Sequence, residues 1–143
     1  MMNEQRNINK TFVFSSDQNS REPAVRQISD TVVESGTHYC LTDNELRLVI
    51  DEAVTNAMEH GNHWNRSKMI EVKIMTQQEN LLINITDEGT GFDTSKENKY
   101  YAQQDKMSAR GRGILLMTSL CCVGWNSKGN GIYLTIPAAD ECR

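Results

Sequence analysis

Two short apolar runs, MIEVKIMT at 69–76 and LLINIT at 81–86, are separated by only four polar residues, QQEN at 77–80. In the first run Ile70, Val72 and Ile74 alternate with polar neighbours, the period-two pattern of a half-buried strand. So short a connection predicts a hairpin with a four-residue loop. The two strands are then antiparallel neighbours. A sheet built on such a hairpin carries one apolar face, which another layer must cover.

The covering layer is visible upstream. From Arg21 to about Ser35, Val25, Ile28 and Val32 follow helical spacing, with Pro23 in the first turn and Gly36 as a stop. Thr42, Asp43, Asn44 and Glu45 form a capping-box signature. Leu46, Val49, Ile50, Ala53 and Ala57 then mark one stripe of a second helix, running to about His60 and ending at Gly61. TFVFS at 11–15 reads as a strand, and residues 1–10 as a loose tail. Ile114 to Leu120 reads as a short helix. CCVGW at 121–125 and GIYLTIP at 131–137 read as a closing hairpin. The expected class is α+β: a two-layer sandwich with a mixed, mainly antiparallel sheet and helices on one face.

The chain has 143 residues, a length suited to a single domain over 1–143 with a core at about 11–137. Its 38% hydrophobic and 24% charged content argues against disorder. A net charge of −4 without a basic stripe argues against direct nucleic-acid binding. There is no apolar run of about 20 residues to span a membrane. MMNEQRNINK at the start has no apolar signal region, so a cytoplasmic protein is expected. Cys40, Cys121, Cys122 and Cys142 form no C-x-x-C pair, and reduced thiols are expected. One of Cys121 and Cys122 is expected to face the core. Met58 and Met117 are expected in or near the core, while Trp64 and Trp125 suit either packing or a partner.

Three polar features stand out. Glu52 and Asn56 lie one helical turn apart, at the edge of the apolar stripe. A carboxylate there can activate a hydroxyl, and an amide oxygen can ligate Mg²⁺. The same pair also fits two boundary side chains bonded to each other. DEGTGFD at 87–93 follows a strand, and Gly89 and Gly91 let backbone approach a ligand closely. It also fits a plain polar turn. GRGILLM at 111–117 opens a helix with Gly111 and Gly113, beside Arg110 and Arg112. Such an N-terminus can receive phosphate, and it also fits an ordinary helix start. His60 and His63 beside Glu59 fall short of a zinc site, because Gly61 interrupts the helix that would align them.

Taken together and in this order, the features resemble the three boxes of the Bergerat-fold ATPases, the superfamily of gyrase, heat-shock chaperones, histidine kinases and mismatch-repair proteins. The E-x-x-x-N helix resembles the first box, D-x-G-x-G-F at 87–92 the second, and G-R-G-I-x-L-M at 111–117 the third. Length and the EAVTNAMEHGN wording are similar to the small anti-sigma serine kinases of bacterial stress and sporulation switches. The sequence does not read as a complete histidine kinase, and an upstream helical hairpin with a phosphoacceptor histidine is not expected.

The resemblance implies an ATP-dependent serine/threonine-protein kinase using ATP and Mg²⁺. By that likeness Glu52 is the catalytic base, Asn56 the magnesium ligand and Asp87 the adenine-reading carboxylate. Gly89 and Gly91 approach the nucleotide. Gly111 and Gly113, with Arg110 or Arg112, serve the phosphates, and Thr135 lies near adenine. A lid at about 94–110 closes over ATP, its Lys96, Glu97 and Lys99 forming a solvated surface. The implied partners are a sigma factor, which is sequestered, and its antagonist, which is phosphorylated on Ser or Thr; a homodimer is the usual assembly. A non-catalytic ATP-binding regulatory module, or a kinase of the same fold serving another partner, would carry the same boxes.

Overall fold

The computed structural model describes residues 7–91 and 109–141. The N-terminal tail up to residue 6, Phe92, Cys142 and nearly all of the expected lid lie outside the described residues.

Five strands form one sheet in the order β1-β2-β3-β5-β4. They are β1 (Asn9–Ser15), β2 (Met69–Gln77), β3 (Asn80–Thr86), β4 (Cys122–Trp125) and β5 (Gly131–Ile136). Every adjacent pair is antiparallel. Side-chain alternation sends Ile70, Val72 and Ile74, then Leu81, Ile83 and Ile85, then Ile132, Leu134 and Ile136 to one face, where all are buried. Among the described residues three helices cover that face: α1 (Gln18–Glu34), α2 (Asp43–Thr55) and α3 (Ala109–Leu120). Val25, Ile28 and Val32 of α1, Val49, Ile50 and Ala53 of α2 and Met117 of α3 join the strand residues in a single core. Each fully buried aliphatic side chain there contributes about 1.5–3 kcal/mol. The two-layer α+β sandwich is therefore the observed fold.

The β2–β3 hairpin is tighter than its sequence suggests. Gln77 pairs with Asn80, leaving a two-residue turn at Gln78 and Glu79. Both have positive φ, 52° and 70°, the type I′ geometry whose twist matches the flanking strands.

The helix ends follow the sequence signals. Asp17 caps α1 by accepting from the Asn19 N–H at 2.8 Å. Gly36, at φ 75°, takes the left-handed conformation that ends it. On α2, Glu45 N–H donates to Thr42 Oγ1 at 3.1 Å, and Thr42 N–H to Glu45 Oε1 at 2.9 Å, completing the capping box. The last part of that helix differs from expectation. From Asn56 to Gly61 it widens into a π-helix, with Asn62 N–H donating to Ala57 O at 2.9 Å. Single π turns inside α-helices are frequent at functional sites.

Cys122 is exposed, and Cys121 is half-buried against the core, where burial pushes its thiol up to about 11. The expectation of reduced thiols holds for these two and fails for Cys40, which is disulfide-bonded. Backbone pairing explains why Cys40 is no isolated loop residue. Cys40 N–H donates to Pro137 O at 2.9 Å, and Ala139 N–H to His38 O at 3.0 Å, so this loop is strapped to the C-terminal segment. Met58 and Met117 are fully buried, and Trp64 and Trp125 pack partly buried against the core. Among the described residues no helix is long and apolar enough to cross a membrane.

Candidate functional site

The polar border of α2 carries two uncommitted side chains. Glu52 and Asn56 are both half-buried. Among the described residues their side chains do not bond to each other, and neither side chain makes a hydrogen bond or ion pair; the Asn56 N–H donates to Glu52 O as part of the helix. Partial burial raises the Glu52 carboxyl above the usual range, and the neighbouring Asp51 charge adds to this, while Arg21 opposes it. Asp51 itself is occupied. It pairs with Arg21 of α1 and accepts from Thr55 Oγ1 at 3.2 Å. A half-buried carboxylate with no partner is costly to keep charged, and its retention suits a group that acts on something else.

Asn56, Asp87 and Gly91 line one pocket together with His60, Trp125, Ala57, Ile85 and Ile132. Asp87 sits just beyond the end of β3. Its Oδ1 accepts the Gly89 N–H at 2.7 Å. Gly61 and Gly89 pack so closely on this carboxylate that a β-carbon at 61 would come within 2.7 Å of Oδ1, and one at 89 within 2.8 Å. Here the space, more than the backbone conformation, requires glycine. At Gly91 both matter: φ is 78°, and a β-carbon would meet the main chain of Lys128, 2.9 Å from its carbonyl carbon.

α3 begins at Ala109, two residues ahead of Gly111, so the glycines lie inside its first turns and do not precede it. The side chains at 109–112, including Arg110 and Arg112, lie outside what the structure describes. Gly111 falls among the first four residues, whose N–H groups have no intrahelical acceptor. Gly113 touches the other half of the site: a β-carbon there would strike the Glu52 carboxylate. The α2–α3 contact thus joins the first and third boxes, while the pocket joins the first and second.

Thr135 does not join them. It pairs with Leu82 and Cys122, and it alternates with the buried Leu134 and Ile136, which places it on the sheet face away from the helices. It does not line the pocket.

Several residues that hold the site escaped the sequence reading. Asn62 is fully buried. Its Nδ2 donates to Ser16 Oγ at 2.8 Å and to Met69 O at 3.1 Å, and its Oδ1 accepts the Glu88 N–H at 2.8 Å. It therefore ties the ends of β1 and β2 to the Asp87 loop. Glu88 Oε2 accepts the Met69 N–H at 2.6 Å and reinforces that junction. On the opposite side Asn130 bonds to the main chain of Asp87. The adjoining Gly61 and the polar turn at 126–130 were visible signals, but which strand ends they join is a tertiary fact. Among the described residues no group of three or more His, Cys, Asp or Glu is placed to hold a metal ion.

The donor set suits a nucleotide with its metal. Asn56 lines the pocket, and its amide can offer a hard neutral oxygen to Mg²⁺. Asp87 is fixed beside backbone that only glycine allows. The profile of the histidine kinase-like ATPase domain matches residues 14–141. An anti-sigma F factor of Oceanobacillus iheyensis is 28% identical over 97 residues, covering 64% of this chain and 66% of the relative. One of Clostridium perfringens is 26% identical over 95 residues, covering 65% of this chain and 62% of the relative. The chain thus spans just under two thirds of the length of either relative. With the profile matching nearly all of the chain, around a pocket of this construction, the protein belongs to the histidine kinase-like ATPase domain family.

Proposed function

We propose that this chain is an ATP-dependent serine/threonine-protein kinase and an anti-sigma factor, one that sequesters a sigma factor and phosphorylates the antagonist that releases it. The observation that carries the kinase reading is Glu52: a half-buried carboxylate without a hydrogen bond or ion pair among the described residues, with a raised proton affinity and a position one turn from Asn56. The names of the relatives, anti-sigma F factors, support the regulatory reading.

In this reading Asp87 accepts a hydrogen bond from the adenine amino group, and Gly89 and Gly91 let backbone close on the base. Asn56 holds Mg²⁺, which when bound neutralises phosphate charge. Phosphoryl transfer depends mainly on positioning and charge neutralisation. The N-terminal N–H groups of α3 and the cations at Arg110 or Arg112 add to the positive field. Glu52 takes the proton from the incoming Ser or Thr hydroxyl, as a general base. A protein hydroxyl must enter between α2 and the start of α3 to reach it. The protein works as a cytoplasmic homodimer. The single domain spans 1–143.

Nucleotide titration with and without magnesium is the first test. Binding of ATP that strengthens with Mg²⁺ is expected, and no binding over a wide concentration range would contradict the reading at its first step. Affinity capture from the native cell with ATP or ADP present, read by mass spectrometry, then identifies the partners. Recovery of a sigma factor and of a protein phosphorylated on Ser or Thr is expected. Recovery of neither would contradict the anti-sigma assignment.

A further inference from the structure

We propose that the β4–β5 turn, residues 126–131, is a positioning device for Asp87, with Asn130 as its working residue and nucleobase selectivity as its output. This rests on the nucleotide-binding reading above.

Asn130 grips both main-chain polar groups of Asp87. The Asp87 N–H donates to Asn130 O at 2.9 Å, and Asn130 Nδ2 donates to Asp87 O at 2.9 Å. Fixing the peptide groups on both sides of one α-carbon fixes the direction of its Cα–Cβ bond, and the Gly89 N–H, 2.7 Å from Oδ1, then holds the carboxylate at its end. The Asn130 amide is itself oriented, because Asn126 Nδ2 donates to Asn130 Oδ1 at 2.8 Å. Asn126 in turn organises the turn. Its Oδ1 accepts the N–H groups of Gly129, Asn130 and Gly131 at 2.8, 3.0 and 3.1 Å. The same turn reaches the far end of the Asp87 loop, where Lys128 O abuts the α-carbon of Gly91. Gly129 and Asn130 also line the pocket.

The strand ladder does not need the Asn130 side chain. β4 and β5 pair from Cys122–Thr135 to Trp125–Ile132, and Asn126 N–H closes the hairpin on Gly131 O at 2.9 Å. The side chain of Asn130 is directed instead at Asp87, just beyond the end of β3 and 43 residues away in sequence. Asn130 is thus a positioning residue, acting through Asp87 on the one part of the nucleotide that distinguishes adenine.

The test compares ATP with inosine triphosphate, which lacks the 6-amino group, by calorimetric titration of the full chain. Asn130→Asp keeps an acceptor for Asn126 Nδ2 and removes the donor to Asp87 O. The added charge acts on both triphosphates alike and cancels in the ratio of their affinities. The wild-type chain is expected to prefer ATP. In Asn130→Asp the preference shrinks about tenfold, the worth of roughly one hydrogen bond, while inosine triphosphate affinity follows the charge effect alone. Asn126→Asp, which keeps the turn's acceptor and loses only the bond orienting Asn130, shifts the ratio the same way by less. A wild-type preference retained in full by both folded variants overturns the inference and leaves the nucleotide reading standing. Should Asn130→Asp fail to fold, Asn126→Asp and Asn130→Ala decide by the same ratio. A wild-type chain that binds neither triphosphate sinks the nucleotide reading, and the inference with it.

Discussion

Gly113 of α3 packs against the carboxylate of Glu52 on α2, so closely that a β-carbon at 113 would lie 3.4 Å from Glu52 Cδ and strike Oε2. The contact gives the third box a role beyond phosphate: it sets where the proposed base can stand. Gly113→Ala separates that role from stability. Within a helix, glycine to alanine normally stabilises by about 1 kcal/mol. The clashing atom is the free end of a flexible side chain, which can swing aside. Thermal unfolding is therefore expected at or above the wild-type temperature, together with at least a tenfold loss of phosphate transfer. Transfer at the wild-type rate would show that Glu52 has no fixed position to lose.

The raised proton affinity of Glu52 predicts a pH profile. A general base works only when ionised, so transfer falls as pH drops through its titration. A raised value places that acid limb at higher pH than for an ordinary glutamate. Asp51→Asn removes a charge that raises the value and frees Arg21, which lowers it. The limb is then expected to move to lower pH, measured as transfer rate against pH with nucleotide saturating. Movement to higher pH would contradict the assignment of the limb to Glu52.

Asn56→Ala tests the metal. ATP affinity of the wild-type chain is expected to weaken when magnesium is chelated. The variant should bind roughly 10- to 100-fold more weakly with magnesium present, and chelation should change its affinity little. A variant that still gains affinity from magnesium as the wild type does would remove Asn56 from the metal site.

Asn62→Ala tests the buried junction beneath the pocket. Its loss strands the fully buried Ser16 Oγ and takes a partner from the part-buried Met69 O and Glu88 N–H. Unsatisfied buried groups cost about 1–3 kcal/mol each, and with partial relaxation a total loss of about 2–4 kcal/mol is expected in chemical denaturation. A loss under about 0.5 kcal/mol would mean that the junction does not support the fold.

The layers of this fold were legible because each rests on short-range pattern. Alternation at 69–76 marked β2, the stripe through Leu46, Ile50 and Ala53 marked α2, and the Thr42–Glu45 box marked its start. The first two boxes were legible as residue types at fixed spacing, and the pocket brings Asn56, Asp87 and Gly91 together. What was not legible depends on which chain segments meet. Thr135 looked promising by its strand, yet the period of two puts it on the opposite face from Leu134. Asn62 and Asn130 looked like turn residues because their partners lie up to 46 positions away. The start of α3 was set too late because glycine disfavours helix interiors, and here packing against Glu52 takes precedence over propensity. Cys40 read as a lone thiol because only the backbone strap to Pro137 and Ala139 shows where its loop lies.

The central claim is that Glu52 transfers a proton during phosphorylation of a protein hydroxyl. The most direct measurement is transfer of labelled γ-phosphate from ATP·Mg to the co-captured antagonist, comparing wild type with Glu52→Ala and Glu52→Gln, each with its nucleotide affinity measured in parallel. Phosphoserine or phosphothreonine formed by the wild type is expected. Both variants should keep ATP affinity within about threefold and lose transfer by 10²–10⁴-fold, roughly the range for a lost general base. Equal transfer by wild type and variants, or none by a wild type that binds ATP, would contradict the account and leave a nucleotide-binding module without this chemistry.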